Sequence, residues 1–263
     1  MRLPQRIAAA LPDGFPAWAY EADWTQETVG LSGCQVYRIA AAGQKQTAFV
    51  KIASDESLDS DYRVLGWLAG KLPVPEILFF GQSGGSRFLL TTAVPGEHGA
   101  SAPVLAEPER FVTLYADGLK QIHSVGAGGC PFDRKLDVVL EEAAERVRRG
   151  LVNAAHFDAA NRGKQPSQLL EELLRTRPPE EDIVFAHGDY CVPNVLIDRS
   201  GIGGFVDWGR AGLADRYQDV GIALRSLKYN GLEAWSEIFL ERYGITEPDQ
   251  AKIDYYILLD ELF

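Results

Sequence analysis

The chain has few cysteines and lacks a long hydrophobic run. Its 263 residues include three cysteines, Cys34, Cys130 and Cys191, and none of them is in a CxxC spacing. Such a set indicates neither a disulfide framework nor a zinc site, and it predicts a reducing cytoplasm as the location. No apolar run reaches the roughly 18 residues that a membrane-spanning helix needs, so we expect no membrane partner. Residues 1–15 have an apolar core that is too short for a signal peptide.

Positive charge is also scarce. The chain has 26 Lys+Arg against 37 Asp+Glu, and its formal net charge is −11. A protein that binds nucleic acid covers phosphates with a dense surface of lysine and arginine, so this composition argues against a nucleic-acid partner. Two explanations of the acidity stay open: negative charge keeps the protein soluble, or it attracts a cationic ligand.

The first ninety or so residues are typical of strands. Segments 33–53 and 76–94 each contain two β-rich runs around a polar turn with glycine, the pattern of a hairpin. Segment 59–72 carries apolar residues at helical spacing, including Tyr62 and Leu65, and predicts a helix between the hairpins.

A proline- and glycine-rich stretch at 95–103 predicts a boundary between two lobes. After it the chain has three short strand-like runs at 182–187, 194–198 and 203–209. Mostly amphipathic patterns predict helices in the rest, at 108–125, 136–152, 166–177, 219–229, 232–244 and 251–263. We therefore predict an α+β fold with two lobes. The N-terminal lobe, residues 1–94, is β-rich, and the C-terminal lobe, residues 95–263, is mostly helical.

Three polar residues stand at the ends of these short strands. Asp189 and Asn194 lie on either side of a turn between the first two, and Asp207 ends the third. Amide and carboxylate oxygens are ligands that suit Mg²⁺, which usually also binds substrate phosphates. This arrangement predicts Asn194 and Asp207 as metal ligands and leaves Asp189 to accept a proton from a hydroxyl group.

The spacing is that of kinases, in which a catalytic-loop Asp precedes an Asn by five positions and a D-x-G aspartate follows. Gly188 stands here in place of the usual Arg, and Trp208 in place of Phe. Asp and Asn are also common turn residues, so either of them alone would indicate only a loop. The three together, in register with the strands, favour a site.

A kinase also needs a cation on the nucleotide phosphates. Lys51 ends the run TAFVK and is predicted to fill this role, with Asp61 or Glu56 on the following helix as its acidic partner. The loop GLSGCQ, at 30–35, is predicted to cover the phosphates, where Ser32 and neighbouring amides could bind oxygens. No Walker-type sequence is present.

Three segments, HGDYCVPN, GGFVDWGRAGLADRYQD and YYILLDELF, together resemble the aminoglycoside 3′-phosphotransferases, antibiotic-resistance kinases with a protein-kinase-like fold. The resemblance runs from about Gly30 to Phe263. It implies phosphorylation of the 3′-hydroxyl of an aminoglycoside, with ATP and Mg²⁺ as cofactors.

The resemblance also implies roles on the nucleotide side. Lys51 binds the α- and β-phosphates, and its partner is Asp61, one methylene shorter than the Glu that is usual in the family. Phe49 stacks on adenine, and the linker from Thr92 to Val94 contacts the adenine.

On the acceptor side, the resemblance implies that Asp189 faces the 3′-hydroxyl and that Arg210 offsets developing negative charge. Arg225 matches a second arginine near the site. The resemblance implies that the ammonium groups of the substrate bind to four acidic groups, those of Asp158, Asp260, Glu261 and the terminal carboxylate of Phe263.

Other functions remain open at this stage. A kinase for a different small-molecule hydroxyl would use the same residues, and a nucleotide-binding module without catalysis would need only some of them. Monomer and homodimer both remain open as oligomeric states.

Overall fold

The computed structural model describes residues 3–27, 34–40 and 47–263. In these ranges no helix has both the length and the apolarity to cross a membrane. The chain forms two compact units, here called unit 1 and unit 2. Unit 1 contains Met1–Gly96 and Gly203–Gly209, and unit 2 contains Glu97–Ile202 and Arg210–Phe263.

Unit 1 contains an antiparallel sheet. Its strands are β1 (Asp23–Glu27), β2 (Gln35–Ala40), β3 (Thr47–Ala53), β4 (Ile77–Ser83) and β5 (Ser86–Thr92). They are ordered β1-β2-β3-β5-β4. Both predicted hairpins are confirmed, because β2 pairs with β3 and β4 pairs with β5. The second turn lies between Ser83 and Ser86, which face each other.

One face of this sheet is buried in an apolar cluster with Trp24, Val50 and Leu90. Because neighbouring side chains of a strand point to opposite faces, Phe49 and Lys51 share the other face of β3. The short helix α1 (Gln5–Ala8) adds Ile7 to the apolar cluster. Neither α1 nor β1 was predicted from the sequence.

The helix predicted between the hairpins is confirmed as α2 (Ser57–Leu68). Its buried residues are Leu58, Asp61, Val64, Leu65 and Leu68. The assignment of Tyr62 to the apolar stripe was wrong. Tyr62 is 38% exposed and stacks on Phe80 of β4, with ring centroids 4.1 Å apart.

Unit 2 is mostly helical, so the predicted α+β fold is confirmed. Its helices are α3 (Ala102–Leu105), α4 (Pro108–His123), α5 (Leu136–Arg148), α6 (Pro166–Thr176), α7 (Arg216–Tyr229), α8 (Ser236–Tyr243) and α9 (Gln250–Asp260). Residues of α5, α6 and α9 share an apolar core. The sequence patterns predicted α4 to α9 but not the single turn α3.

The remaining strands are β6 (Glu97–His98), β7 (Ile183–Ala186), β8 (Val195–Ile197), β9 (Ile202–Phe205) and β10 (Gly212–Asp215). The three short runs predicted as strands are β7, β8 and β9. However, β7 pairs with β10 and β8 with β6, so β7 and β8 are consecutive without forming a hairpin. The sequence did not predict β6 and β10, which are short and whose partners are distant in sequence.

Candidate functional site

Lys51 lies on the face of β3 opposite the apolar cluster, and its ammonium group contacts two carboxylates. Nζ donates to Oδ2 of Asp61 at 2.7 Å and also to Oδ1 of Asp207. Burial acts to lower the pKa of Lys51, yet the two carboxylates outweigh it and raise that pKa above its ordinary value. The lysine is therefore held in its charged form, as a phosphate-binding group must be.

Asp61 is the acidic partner on α2, although its side chain is shorter than that of Glu. Its side chain is 6% exposed, and its second oxygen, Oδ1, accepts a hydrogen bond from the backbone N–H of Trp208 at 3.1 Å. Asp61 thus ties Lys51 to the segment that carries Asp207. The alternative partner, Glu56, instead pairs with Arg87 at 3.1 Å.

Asp207 follows β9 in an unusual backbone conformation. Its φ is 66°, and it is the one non-glycine residue with a positive φ in the part of the chain that the structure describes. Asp tolerates this conformation better than most residues, but the strain is characteristic of functional positions. The next residue, Trp208, is fully buried and donates from Nε1 to the carbonyl of Phe205 at 3.1 Å, which anchors the turn.

The residues predicted to contact adenine lie at the end of β5. The Thr92 side chain accepts a hydrogen bond from the Glu76 N–H at 2.9 Å, so it is already used within the sheet. Beyond it, Ala93 N–H donates to the carbonyl of Thr47 at 3.0 Å, which places the segment to Val94 beside the start of β3. Phe49 is partly buried nearby on β3. Ser32 lies outside the described residues.

The loop of unit 2 that carries Asp189 begins where β7 ends. The side-chain amide of Asn194 donates from Nδ2 to both the carbonyl and Oδ2 of Asp189, at 3.0 and 3.1 Å. The amide oxygen of Asn194 is consequently left for another partner. The predicted proximity of Asp189 and Asn194 is therefore present in the structure.

A buried carboxylate that was not predicted from the sequence holds this loop in place. Asp219 of α7 is 0% exposed and accepts backbone N–H groups from His187 at 2.7 Å and Gly188 at 2.8 Å. Nε2 of His123 donates to it at 2.9 Å. Burial acts to raise the pKa of Asp219, but the hydrogen bond and charge of His123 lower it below its ordinary value. Asp219 thus anchors the two residues before Asp189.

Gly188 is required at its position for steric reasons. Its φ is +80°, and a Cβ built there would lie 2.1 Å from the carbonyl oxygen of Arg210. Any side chain would therefore displace the backbone next to Asp189.

The acids predicted to bind substrate already contact arginines of unit 2. Arg225 donates to Oδ2 of Asp260 at 2.6 Å and to Oδ1 of Asp158 at 2.9 Å. Arg210 donates to the other oxygen of Asp260 at 2.8 Å. The hydroxyl of Tyr229 also donates to Asp158. The structure thus brings these predicted residues together, but as a network of ion pairs rather than as unpaired acids.

Glu261 lies beside this cluster and is buried. It accepts hydrogen bonds from Nδ2 of Asn161 at 2.7 Å and from the N–H of Asp158 at 3.1 Å. Burial raises the pKa of Glu261 above its ordinary value, although these two donors act in the opposite direction. Glu261 therefore joins the loop at 158–161 to the end of the chain.

The metal ligands predicted from the sequence are an aspartate of unit 1, Asp207, and an asparagine of unit 2, Asn194. In the described ranges no group of three or more His, Cys, Asp or Glu side chains is arranged to hold a metal ion. Magnesium keeps several waters and needs only one or two protein oxygens together with phosphate. Asp207 and Asn194 offer oxygens of that kind.

Comparison with known proteins gives matches over nearly the whole chain. The profile of the phosphotransferase enzyme family (APH) matches residues 28–256. The aminoglycoside 3′-phosphotransferase of Niallia circulans is 40% identical over 251 residues, covering 92% of this chain and 94% of the relative. The crystal structure of an aminoglycoside 3′-phosphotransferase of type VIII has a TM-score of 0.87 at 33% identity and covers 98% of both chains. APH(3″)-Id of Streptomyces rimosus, solved with ADP and streptomycin, has a TM-score of 0.77 at 27% identity, covering 92% and 93%.

Proposed function

Because the chain belongs to the phosphotransferase enzyme family, we propose that it transfers the γ-phosphoryl group of ATP to the 3′-hydroxyl of aminoglycosides and so confers resistance. The observation that carries this proposal is Lys51, held between Asp61 and Asp207. Together with the relatives named above, this arrangement favours a kinase over a nucleotide-binding module without catalysis.

On the nucleotide side, Lys51 positions the α- and β-phosphates, and Asp61 fixes the direction of its ammonium group. Phe49 stacks on adenine, and the segment from Thr92 to Val94 contacts the edge of the base. Ser32 contributes to the phosphate-covering loop. Because phosphoryl transfer depends mainly on positioning and electrostatics, these contacts supply a large part of the catalysis.

Asp207 and Asn194 are the proposed ligands of Mg²⁺. The ion neutralises charge on the β- and γ-phosphates when it is bound. The strained backbone of Asp207 aims its carboxylate, and the hydrogen bonds from Asn194 to Asp189 orient the amide oxygen of Asn194.

Asp189 accepts the proton of the substrate hydroxyl or orients that group for attack. Arg210 offsets negative charge that develops in the transition state. Burial acts to lower the pKa of Arg210, but Asp260 and Asp189 outweigh it and raise that pKa, so the guanidinium stays charged beside the catalytic Asp.

The substrate is a polycation, and its ammonium groups bind at Asp158, Asp260, Glu261 and Phe263, with Arg225 ordering the two aspartates. Since ATP is a cytoplasmic cosubstrate and the three cysteines are free, we place the reaction in the cytoplasm.

The test is a steady-state phosphorylation assay with kanamycin and with an analogue that lacks the 3′-hydroxyl. We expect Mg²⁺-dependent transfer from ATP to kanamycin and none to the analogue. Equal transfer to both would contradict the 3′ assignment. Transfer to other hydroxyl compounds, with none to any aminoglycoside, would instead indicate a kinase for a different small molecule.

A further inference from the structure

We propose that Arg146 of α5 is a positioning residue for the acceptor substrate, because it holds the segment 260–263 in the conformation that presents its acids. This inference rests on the proposed function for the identity of the substrate. The sequence pattern does not mark Arg146 as a functional residue, since an arginine near the end of an amphipathic helix is usually a solvated charge.

The guanidinium group of Arg146 makes a bidentate contact with two main-chain oxygens of the segment 260–263. Its Nε donates to the carbonyl oxygen of Leu262 at 2.8 Å, and its Nη2 donates to the main-chain oxygen of Phe263 at 2.7 Å. These oxygens lie just beyond α9, where helical carbonyls have no partner within the helix. The planar guanidinium fits two neighbouring acceptors in a way that a lysine ammonium does not.

The ring of Phe263 strengthens the same attachment. The guanidinium of Arg146 lies 5.3 Å from the ring centroid and that of Arg210 lies 4.9 Å from it, so one aromatic ring is shared by two cations. The ring and Leu262 also pack against the core shared by α5, α6 and α9. Burial and the nearby charge of Arg210 lower the pKa of Arg146 despite Glu142.

The segment fixed in this way carries three of the proposed substrate acids, and Arg146 itself contacts an oxygen of one of them, Phe263. Asp260 pairs with Arg210 and Arg225, and Glu261 accepts from Asn161 and the Asp158 N–H. Displacement of residues 262–263 would shift the side-chain carboxylates of Asp260 and Glu261 at once. We therefore assign Arg146 to the positioning of the acids, without contact to the substrate itself.

The experiment compares Arg146→Lys and Arg146→Met with the control Arg148→Lys. Arg148 is on the same helix, but its side chain is 75% exposed and pairs with Glu145. We expect Arg146→Lys to raise the KM for kanamycin about tenfold, as for the loss of about one charge-assisted hydrogen bond, while the KM for ATP and kcat change less than about twofold. Arg146→Met is expected to have the larger effect, and the control none.

Hydrogen–deuterium exchange of the peptide at 255–263 provides a readout that does not depend on the substrate. The Leu262 and Phe263 N–H groups donate to the carbonyls of Leu259 and Asp260 at 3.2 and 3.1 Å, and their exchange should accelerate in the Arg146 variants.

The outcomes separate the inference from the proposed function. A wild-type protein that phosphorylates no aminoglycoside contradicts the proposed function, and the exchange data then still decide whether Arg146 holds the segment. Unchanged exchange, or faster exchange with an unchanged KM for kanamycin in an active enzyme, would overturn the inference. Arg146→Lys keeps the charge and most of the stem, so it tests the contact if Arg146→Met does not fold.

Discussion

The charged clusters of the two units are balanced differently. In unit 1 one ammonium group faces two carboxylates, so one negative charge is in surplus around Lys51. In unit 2 two guanidinium groups, of Arg210 and Arg225, face the two carboxylates of Asp158 and Asp260. The first cluster has charge left to attract a metal cation. The ion pairs of the second are balanced before any substrate binds, and Glu261 beside them is held by neutral donors, the amide of Asn161 and the N–H of Asp158.

This difference bears on how a polycation is recognised. In a balanced cluster, an incoming ammonium group must share a carboxylate with an arginine or hydrogen-bond to an oxygen that the arginine leaves open. Electrostatic attraction then comes mainly from the overall net charge of −11. Specific affinity for the substrate must then depend on the exact placement of a few carboxylate oxygens. Because Arg210 and Arg225 hold these oxygens in position, they have a structural role in the proposed binding.

The largest effect is expected from the loss of Asp189, the proposed acceptor of the substrate proton, which belongs to neither cluster. We expect Asp189→Ala to lower kcat by about 10²-fold or more, because a positioned base contributes at least that factor. Binding of ATP should be retained, since Lys51 and Asp61 are unaffected. Steady-state kinetics with kanamycin, alongside nucleotide titration, measure both. Unchanged turnover would show that the assignment of Asp189 is wrong.

Asp219→Asn tests the support of the catalytic loop. The variant leaves at least one buried N–H without an acceptor, which should destabilise the protein by about 2 kcal/mol. Because the pKa of Asp219 is lowered in the folded state, its stabilising contribution is complete above the unfolded pKa of about 4 and is lost as the pH falls through the folded value. Urea denaturation of the wild type and the variant, from neutral pH to below pH 4, should show that their difference in the free energy of unfolding narrows at acidic pH. A difference that is constant with pH would contradict this.

Asp61→Asn tests the surplus charge of the first cluster. We expect the KM for ATP to rise about tenfold, because Lys51 loses an ion pair in a partly buried site and its ammonium group is no longer directed. Asp59→Asn, on the same helix and paired with Arg87, is the matched control and should leave the KM unchanged. Equal effects of both substitutions would point to general damage to α2.

Asp260→Asn tests the balanced cluster and should have the smallest effect. Removing this carboxylate leaves Arg210 and Arg225 in excess, so the KM for kanamycin should rise about fivefold, with little change in the KM for ATP. Added salt should reduce the difference between variant and wild type by screening. A lower KM for kanamycin would contradict this prediction, because the unpaired charges of Arg210 and Arg225 would then not repel the cationic substrate.

The sequence was sufficient where a pattern is local. The hairpins and the helices α4 to α9 follow from periodicity and turn residues, and the structure contains them. A local pattern could not decide whether Asp61 or Glu56 is the partner of Lys51, because the answer depends on which side of α2 faces β3. Tyr62 illustrates the same limit: at helical spacing it fits the apolar stripe, yet its ring stacks on Phe80 and is 38% exposed.

The partners of charged residues could not be predicted in this way. Asp219 contacts a loop about thirty residues earlier in the chain, and Arg146 contacts residues more than a hundred positions later. Pairing of β7 with β10 is likewise set by packing between distant segments. No sequence pattern shows which acid pairs with which arginine. The acids near the end of the chain were therefore proposed as substrate-binding groups, but their ion pairs with arginines were not predicted.

Gly188 also restricts how this loop can evolve. Every possible replacement adds a Cβ, and even the smallest, alanine, would collide with the carbonyl of Arg210. The arginine that protein kinases carry before their catalytic aspartate is thus inaccessible by substitution at this position alone, since the turn before β10 would have to shift first. A side chain at position 188 therefore requires a compensating change in the backbone at Arg210.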